Sequence, residues 1–329
     1  MRDLLHHLGN PDVPVEPLPL LPPIHEMIPP EVDAALSKMS IPDLLELSLF
    51  SSAQDKKPGR VSKYAMRLAF ALLKSPAGPF IGRLLKRSAA RKTRRTPAAS
   101  APAKPPSLCL SAWSLDHAQT AALIARAKQE GTTVHAALGA AFLLAFAQVI
   151  GAGQWRCMIQ SPVNLRNRVS PPVGEDFGVF VTLAKTTVDC SPGRGFWDIA
   201  RDIREGFSRQ MTPERLFATY DLMEALSTLA DEALPEAMLG GEEAFGSIEY
   251  DLSLSNIGRL DIPTTYGPLQ LESLYGPTFS AMGDRIVGVN TTGGRIFFTF
   301  IYQETIMDAA TGARVREIAM RRLGEAVGW

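Results

Sequence analysis

The sequence predicts an α/β protein of the α+β sandwich kind, a mixed sheet with flanking helices, and three stretches carry the prediction. The first is the apolar run Ala136 to Ala147, long enough for a buried helix and too short to span a bilayer. The second is Ile159 to Thr182, where one strand exits into Asn164-Leu165-Arg166 and another is entered through Asp176-Phe177-Gly178. The third is a hairpin pattern, Arg285–Asn290 with Arg295–Tyr302, turning at Thr291-Thr292-Gly293-Gly294.

The elements follow in order. Arg2 to Leu8 reads as the tail of a helix, with Leu4, Leu5 and Leu8 on one face and Gly9-Asn10-Pro11 as its stop. Pro11 to Pro30 is so rich in proline that an extended segment lying on the surface, or reaching across to the following lobe, is expected. Ile41–Leu49 and Ser62–Leu73 are amphipathic helix candidates. Residues 75–106 read as a basic Ala/Pro-rich linker.

From there the pattern is dense. Ser107–Trp113 is a short strand, and Ser114 is a candidate N-cap for a helix to Glu130, with Gly131 just past its end. Thr132 or Thr133 caps a second helix through Ile150. Strands are expected at Met158–Val163 and from Phe177 through Leu183 to Val188, with Gly178 where a side chain would be in the way. Gly195–Met211 is an amphipathic helix, and further helix is expected between Pro213 and Leu239. Ile248–Leu254 is a strand ending in Ser255-Asn256-Ile257-Gly258-Arg259, and Leu269–Leu274 is another. A helix over Thr305–Ala326 closes the chain.

Composition excludes several classes. With 329 residues, 46% of them hydrophobic, the chain can bury a large core. Lys plus Arg and Asp plus Glu both number 34, so overall charge gives no reason for a nucleic-acid partner. The run Lys86-Arg87 to Arg94-Arg95 lacks interleaved aromatics and reads as a solvated loop. Cys109, Cys157 and Cys190 share no metal-like spacing, which points to reduced, packed thiols and no metal. With no signal-peptide core and no transmembrane segment expected, the chain reads as cytoplasmic. There is no nucleophile elbow and no P-loop, and Arg156 stands where Gly151-Ala152-Gly153 would need its third glycine for a dinucleotide fingerprint.

Four motifs from Thr132 onward resemble, in order, those of the condensation-domain and acyltransferase superfamily, folded like chloramphenicol acetyltransferase. They are Thr132-Thr133-Val134-His135-Ala136-Ala137-Leu138, Pro162-Val163-Asn164-Leu165-Arg166, Asp176-Phe177-Gly178-Val179-Phe180-Val181-Thr182 and Ser255-Asn256-Ile257-Gly258-Arg259. The nearest branch is the polyketide-associated and alcohol acyltransferases. The resemblance implies two lobes forming a V, with acyl transfer from a coenzyme A or carrier-protein thioester to an alcohol or amine and no cofactor. It also implies a general base, the second His of a His-His-x-x-x-Asp-Gly motif, whose Asp pairs with an arginine.

The chain departs from the family at that motif. It contains no Asp-Gly dipeptide, and none of its five histidines has Asp four residues later. The expected layout is therefore a remnant of the N-terminal lobe over 1–74, the linker over 75–106 and the C-terminal lobe over 107–329, with the motif placed just before Met1. No catalytic residue is assigned within the chain. The resemblance makes Asn164, Arg166, Arg168, Asp176, Gly178, Ser255, Asn256 and Gly258 the cleft or structural candidates. Arg166, or alternatively Arg168, is the expected partner of the motif's Asp, and Asn164, Arg166 and Asn256 are expected to converge at one end of the sheet. His135 matches a helix start and is expected to pack or cap. Three readings follow: an acyltransferase lacking its catalytic segment, a non-catalytic remnant that binds an acyl donor or carrier protein, and an unrelated α/β binding module.

Overall fold

The computed structural model describes residues 2–13, 19–40, 43, 44, 47, 107–151, 155–174, 176, 178–221, 251–276 and 285–329. The helix candidates Ile41–Leu49 and Ser62–Leu73, the linker 75–106, Phe177 and most of Pro213–Leu239 lie wholly or largely outside them. The first elements are α1 (Arg2–Gly9), a 3₁₀ turn over Ile24–Met27 and α2 (Pro30–Leu36). Then come β1 (Leu108–Leu115), α3 (His117–Gln129), α4 (Val134–Val149), β2 (Arg156–Asn164), β3 (Val181–Asp189) and α5 (Phe196–Gln210). A helical stretch over 213–221 follows. The remainder is β4 (Leu252–Arg259), β5 (Thr265–Tyr266), β6 (Leu269–Gln270), β7 (Ile286–Thr292), β8 (Arg295–Gln303) and α6 (Ala309–Val327).

One six-stranded sheet runs in the order β1-β8-β7-β4-β2-β3. Its middle strands β2, β4 and β7 are parallel, while β3, β8 and β1 pair antiparallel, so the sheet is mixed. Helix α4 lies across its centre. Thr133 caps it by accepting the Ala136 N–H at 3.1 Å, and eleven of its sixteen residues are buried. Burial that complete explains why its sequence has no polar stripe. Ile159, Leu252, Leu254, Val287, Val289, Phe298 and Phe300 meet it from the sheet. Trp113 of β1 stacks on Phe298 of β8 with centroids 5.1 Å apart.

Helix α5 turns Ile199, Ala200 and Ile203 inward and leaves its charged face outside. It comes so close to β3 that a Cβ on Gly206 would land on the Thr186 side chain. Gly206→Ala is accordingly expected to destabilise the fold by about 1–3 kcal/mol through overpacking, read in a urea melt; an unchanged midpoint would mean that β3 can give way.

A second, smaller core forms where the front of the chain meets the β2–β3 connection. Met27, Ile28, Val32 and Leu36 pack with Leu165, Val169, Val173, Phe180, Leu216 and Phe217. The Ser170 N–H donates to the Met27 carbonyl at 2.8 Å, tying that segment to the loop.

Several element boundaries differ from the sequence expectation; β4, expected over Ile248–Leu254, runs on through Ser255-Asn256-Ile257-Gly258-Arg259. Ser114 lies inside β1, where its hydroxyl accepts from Arg295; the cap of α3 is Asp116, in a capping box with Gln119. The last helix starts after Asp308, which accepts the Thr311 N–H, rather than at Thr305. The strand expected over Leu269–Leu274 is only Leu269–Gln270, paired with β5 in a separate two-stranded ribbon. The strand expected from Phe177 begins at Val181, because carbonyls before it are engaged by Arg166, as described below.

Among the described residues no single helix is long and apolar enough to cross a membrane. Nor is any group of three or more His, Cys, Asp or Glu side chains placed to hold a metal ion among them.

Candidate functional site

The exit of β2 is built around one guanidinium. Asn164 ends the strand and its Oδ1 accepts the Arg166 N–H at 3.0 Å, an Asx turn that swings the chain off the sheet. Leu165 is fully buried in the second core and its N–H donates to the Phe180 carbonyl at 2.9 Å. Arg166 then points back into its own loop. Its Nη1 donates to the Gly174 and Asp176 carbonyls at 3.0 and 2.8 Å, and its Nη2 to the Gly178 carbonyl at 3.0 Å. The same group lies over the Phe180 ring, 5.1 Å from the centroid.

Asp176 and Gly178 therefore enter the site through their backbones, as acceptors for Arg166. Arg168 is exposed, and its N–H closes a turn onto the Leu165 carbonyl at 2.7 Å.

The exit of β4 is a second, independent turn. Asn256 Oδ1 accepts the Gly258 N–H at 2.9 Å, and Gly258 sits at φ +82°, where a side chain would strain the backbone. The ladder to β7 shifts register between Asn256 and Arg259, pushing Ile257 into solvent at 62% exposure. Ser255, paired with Gly288, lies on the sheet face turned away from α4. Because β2 and β4 are parallel, Asn164, Arg166, Ser255 and Asn256 share one end of the sheet. Each asparagine serves its own turn; no hydrogen bond joins the two among the described contacts.

By sequence His135 is expected only to pack or cap. Thr133 does the capping, and His135 packs edge-on against Phe207 with its Nε2 2.9 Å from the Ser161 hydroxyl. Burial pushes its pKa down to about 4 from an ordinary 6.5. A histidine held neutral in the fold charges more readily in the unfolded chain, so the unfolded state binds more protons between these values. Stability is thus complete above about pH 6.5 and falls as pH drops toward 4, by about 3 kcal/mol in all. His135→Phe, melted across this range, is expected to flatten that part of the profile; an unchanged slope would assign the acid sensitivity elsewhere.

A family described as phthiocerol/phthiodiolone dimycocerosyl transferase C-terminus matches residues 105–295, which hold both strand exits. No curated protein matches the sequence. Among solved structures, the chain is similar to the trichothecene 15-O-acetyltransferase of Fusarium sporotrichioides. That likeness has a TM-score of 0.52 and 12% identity, over 67% of this chain and 47% of that one. A structure concerning condensation domain-mediated chain release from the enacyloxin polyketide synthase aligns with a TM-score of 0.47 and 17% identity, over 82% of this chain and 51% of that one. Polyketide synthase associated protein 5 of Mycobacterium tuberculosis gives 0.46 and 18%, over 74% and 60%. The chain spans about half the length of such proteins. With its mixed sheet and flanking helices it has the chloramphenicol acetyltransferase-like fold, and it belongs to the phthiocerol/phthiodiolone dimycocerosyl transferase C-terminus family of the condensation and acyltransferase superfamily.

Proposed function

We propose that this chain supplies the C-terminal lobe of an acyltransferase, which moves an acyl group from a coenzyme A or carrier-protein thioester to an alcohol or amine. The family match over 105–295, with two polar strand exits at one end of one sheet inside it, carries the reading. In such a transfer a base takes the proton of the acceptor hydroxyl or amine, whose lone pair attacks the thioester carbonyl. The C–S bond then breaks, and the thiolate leaves with a proton.

The base comes from outside this sequence. His135 is a poor one, since it is buried with its Nε2 2.9 Å from the Ser161 hydroxyl and its basicity is low. His6 and His7 stand at the end of α1, where His7 Nδ1 lies 3.3 Å from the Val13 carbonyl. The carrier-protein or coenzyme A donor and the acceptor are the implied partners.

A second reading, a remnant that binds donor or carrier protein without catalysis, draws on the Arg166 loop. There the guanidinium expected to hold the motif's Asp is engaged by its own backbone. The two readings separate in one experiment. Acyl transfer is assayed with the chain alone and with a protein that joins a His-His-x-x-x-Asp-Gly segment ahead of it. Turnover only in the joined protein supports the acyltransferase, and binding without turnover in both supports the remnant.

A further inference from the structure

On the face of the sheet turned away from α4, four polar side chains stand at adjoining register positions. Lys185 of β3 is paired across to Gln160 of β2, Gln160 pairs on its other side with Ser253 of β4, and Thr187 of β3 is opposite Met158. Their neighbours in sequence, Ile159, Leu252, Leu254 and Val188, point the other way into the main core. Gln160 is 7% exposed and Ser253 5%, and among the described residues the Thr187 hydroxyl is buried without a partner. No hydrogen bond or ion pair engages the Gln160 amide or the Lys185 ammonium among the described residues. Of the carboxylates bordering the row, Asp189 of β3 accepts the Ser191 N–H at 2.9 Å, and Asp251, just before β4, accepts the Met158 N–H at 2.7 Å.

Such groups are normally satisfied inside a protein, and a lysine removed from water without a counter-charge is costly. Burial alone holds the Lys185 ammonium below its usual pKa, with no acidic neighbour opposing it. Toward the strand-exit end the same face turns apolar and open. Leu183 is 44% exposed and Val181 37%, beside Pro162. The patch is therefore amphiphilic, with a cation and three hydrogen-bonding groups at one end and an accessible apolar strip leading to the proposed reaction end.

We infer that Lys185, Gln160, Thr187 and Ser253 form a subsite for the anionic head, carboxylate or phosphate, of an aliphatic substrate whose body lies along Leu183 and Val181. An anion there would restore the lysine's charge and accept from the amide and hydroxyls, while methylenes cover the strip. The inference rests on the acyltransferase reading only in calling that ligand a substrate. It is tested by binding without turnover, so that the two can fail separately.

The test is calorimetric titration of the full chain with octanoate, octyl phosphate, octanol and inorganic phosphate. Both anionic octyl compounds are expected to bind measurably at millimolar concentration or below, more tightly than octanol or inorganic phosphate, and the tighter of the two identifies the head group. Lys185→Met is expected to weaken them by about tenfold to a hundredfold, with octanol unaffected. Gln160→Leu should weaken them less. Arg322→Met, on α6 across the sheet, should leave binding unchanged. Because Met removes an unpaired buried charge, Lys185→Met is also expected to melt no lower than the parent, whereas a lysine in a structural ion pair would lower the melting temperature. No binding of either anionic compound, equal binding by the Lys185→Met variant, or a lower melting temperature for it would each overturn the assignment.

Discussion

Joined behind a segment carrying His-His-x-x-x-Asp-Gly, this chain is expected to transfer acyl groups about 10²–10⁴-fold faster than the 329-residue chain does alone. That range is the usual contribution of a positioned general base, roughly 3–6 kcal/mol of barrier. Acyl transfer needs a proton acceptor beside the attacking hydroxyl or amine, and the buried histidine of the sheet lobe, His135, has its pKa pushed down to about 4. That ring faces Ser161 and Phe207 rather than an open cleft. The measurement is thiol release from acyl thioesters with a panel of alcohols and amines. The opposite pattern, turnover by the chain alone that His7→Ala abolishes, would place the base inside the sequence and end the argument.

How much of this was legible in the sequence depends on what kind of signal each element carries. Helix α4 was readable because an uninterrupted apolar run behind a threonine cap has few other outcomes. The hairpin was readable from Gly293-Gly294, both at positive φ, between two apolar strands. The boundaries that moved did so for tertiary reasons. Ser114 is a good cap by type, but Asp116 stands nearer the helix start, and Ser114 is held in β1 beside Arg295. Phe177–Phe180 has strand composition, yet the Asp176 and Gly178 carbonyls around it go to a side chain ten and twelve residues back, which no local pattern encodes.

The site divides in the same way. Asn164, Arg166 and Asn256 stood out because polar residues at strand exits are unusual in buried sheets, and a family resemblance fixed their order. The Lys185–Gln160–Ser253 row was invisible. Each is a single polar letter in a strand, and only the registers of β3 on β2 and of β2 on β4 bring the three side by side. His135 and Ser161 are 26 residues apart, and their contact is likewise a product of packing α4 on β2.

Arg166→Ala is expected to destabilise the fold by about 3–5 kcal/mol, a large part of the stability of an ordinary domain. Three N–H groups of one cation bridge the carbonyls of Gly174, Asp176 and Gly178, and its face covers Phe180, which is 6% exposed in the second core. A hydrogen bond from a charged donor contributes about 1.5–3 kcal/mol, and bonds sharing one side chain do not add fully. Lysine cannot reproduce a planar fork serving three acceptors, so Arg166→Lys should recover only part of the loss. Arg168→Ala, at an exposed position, should stay within about 0.5 kcal/mol. Urea melts supply the energies, and limited proteolysis should show new cleavage near Gly174 in the Ala variant. In the protein joined to the His-His-x-x-x-Asp-Gly segment, the two roles offered for Arg166 then part company. A variant that melts early and loses turnover in proportion to its unfolded fraction has lost the loop. One that melts like its parent yet no longer turns over would show that the guanidinium leaves the Gly174–Gly178 carbonyls to hold the incoming Asp, and the loop-bracing account would be wrong.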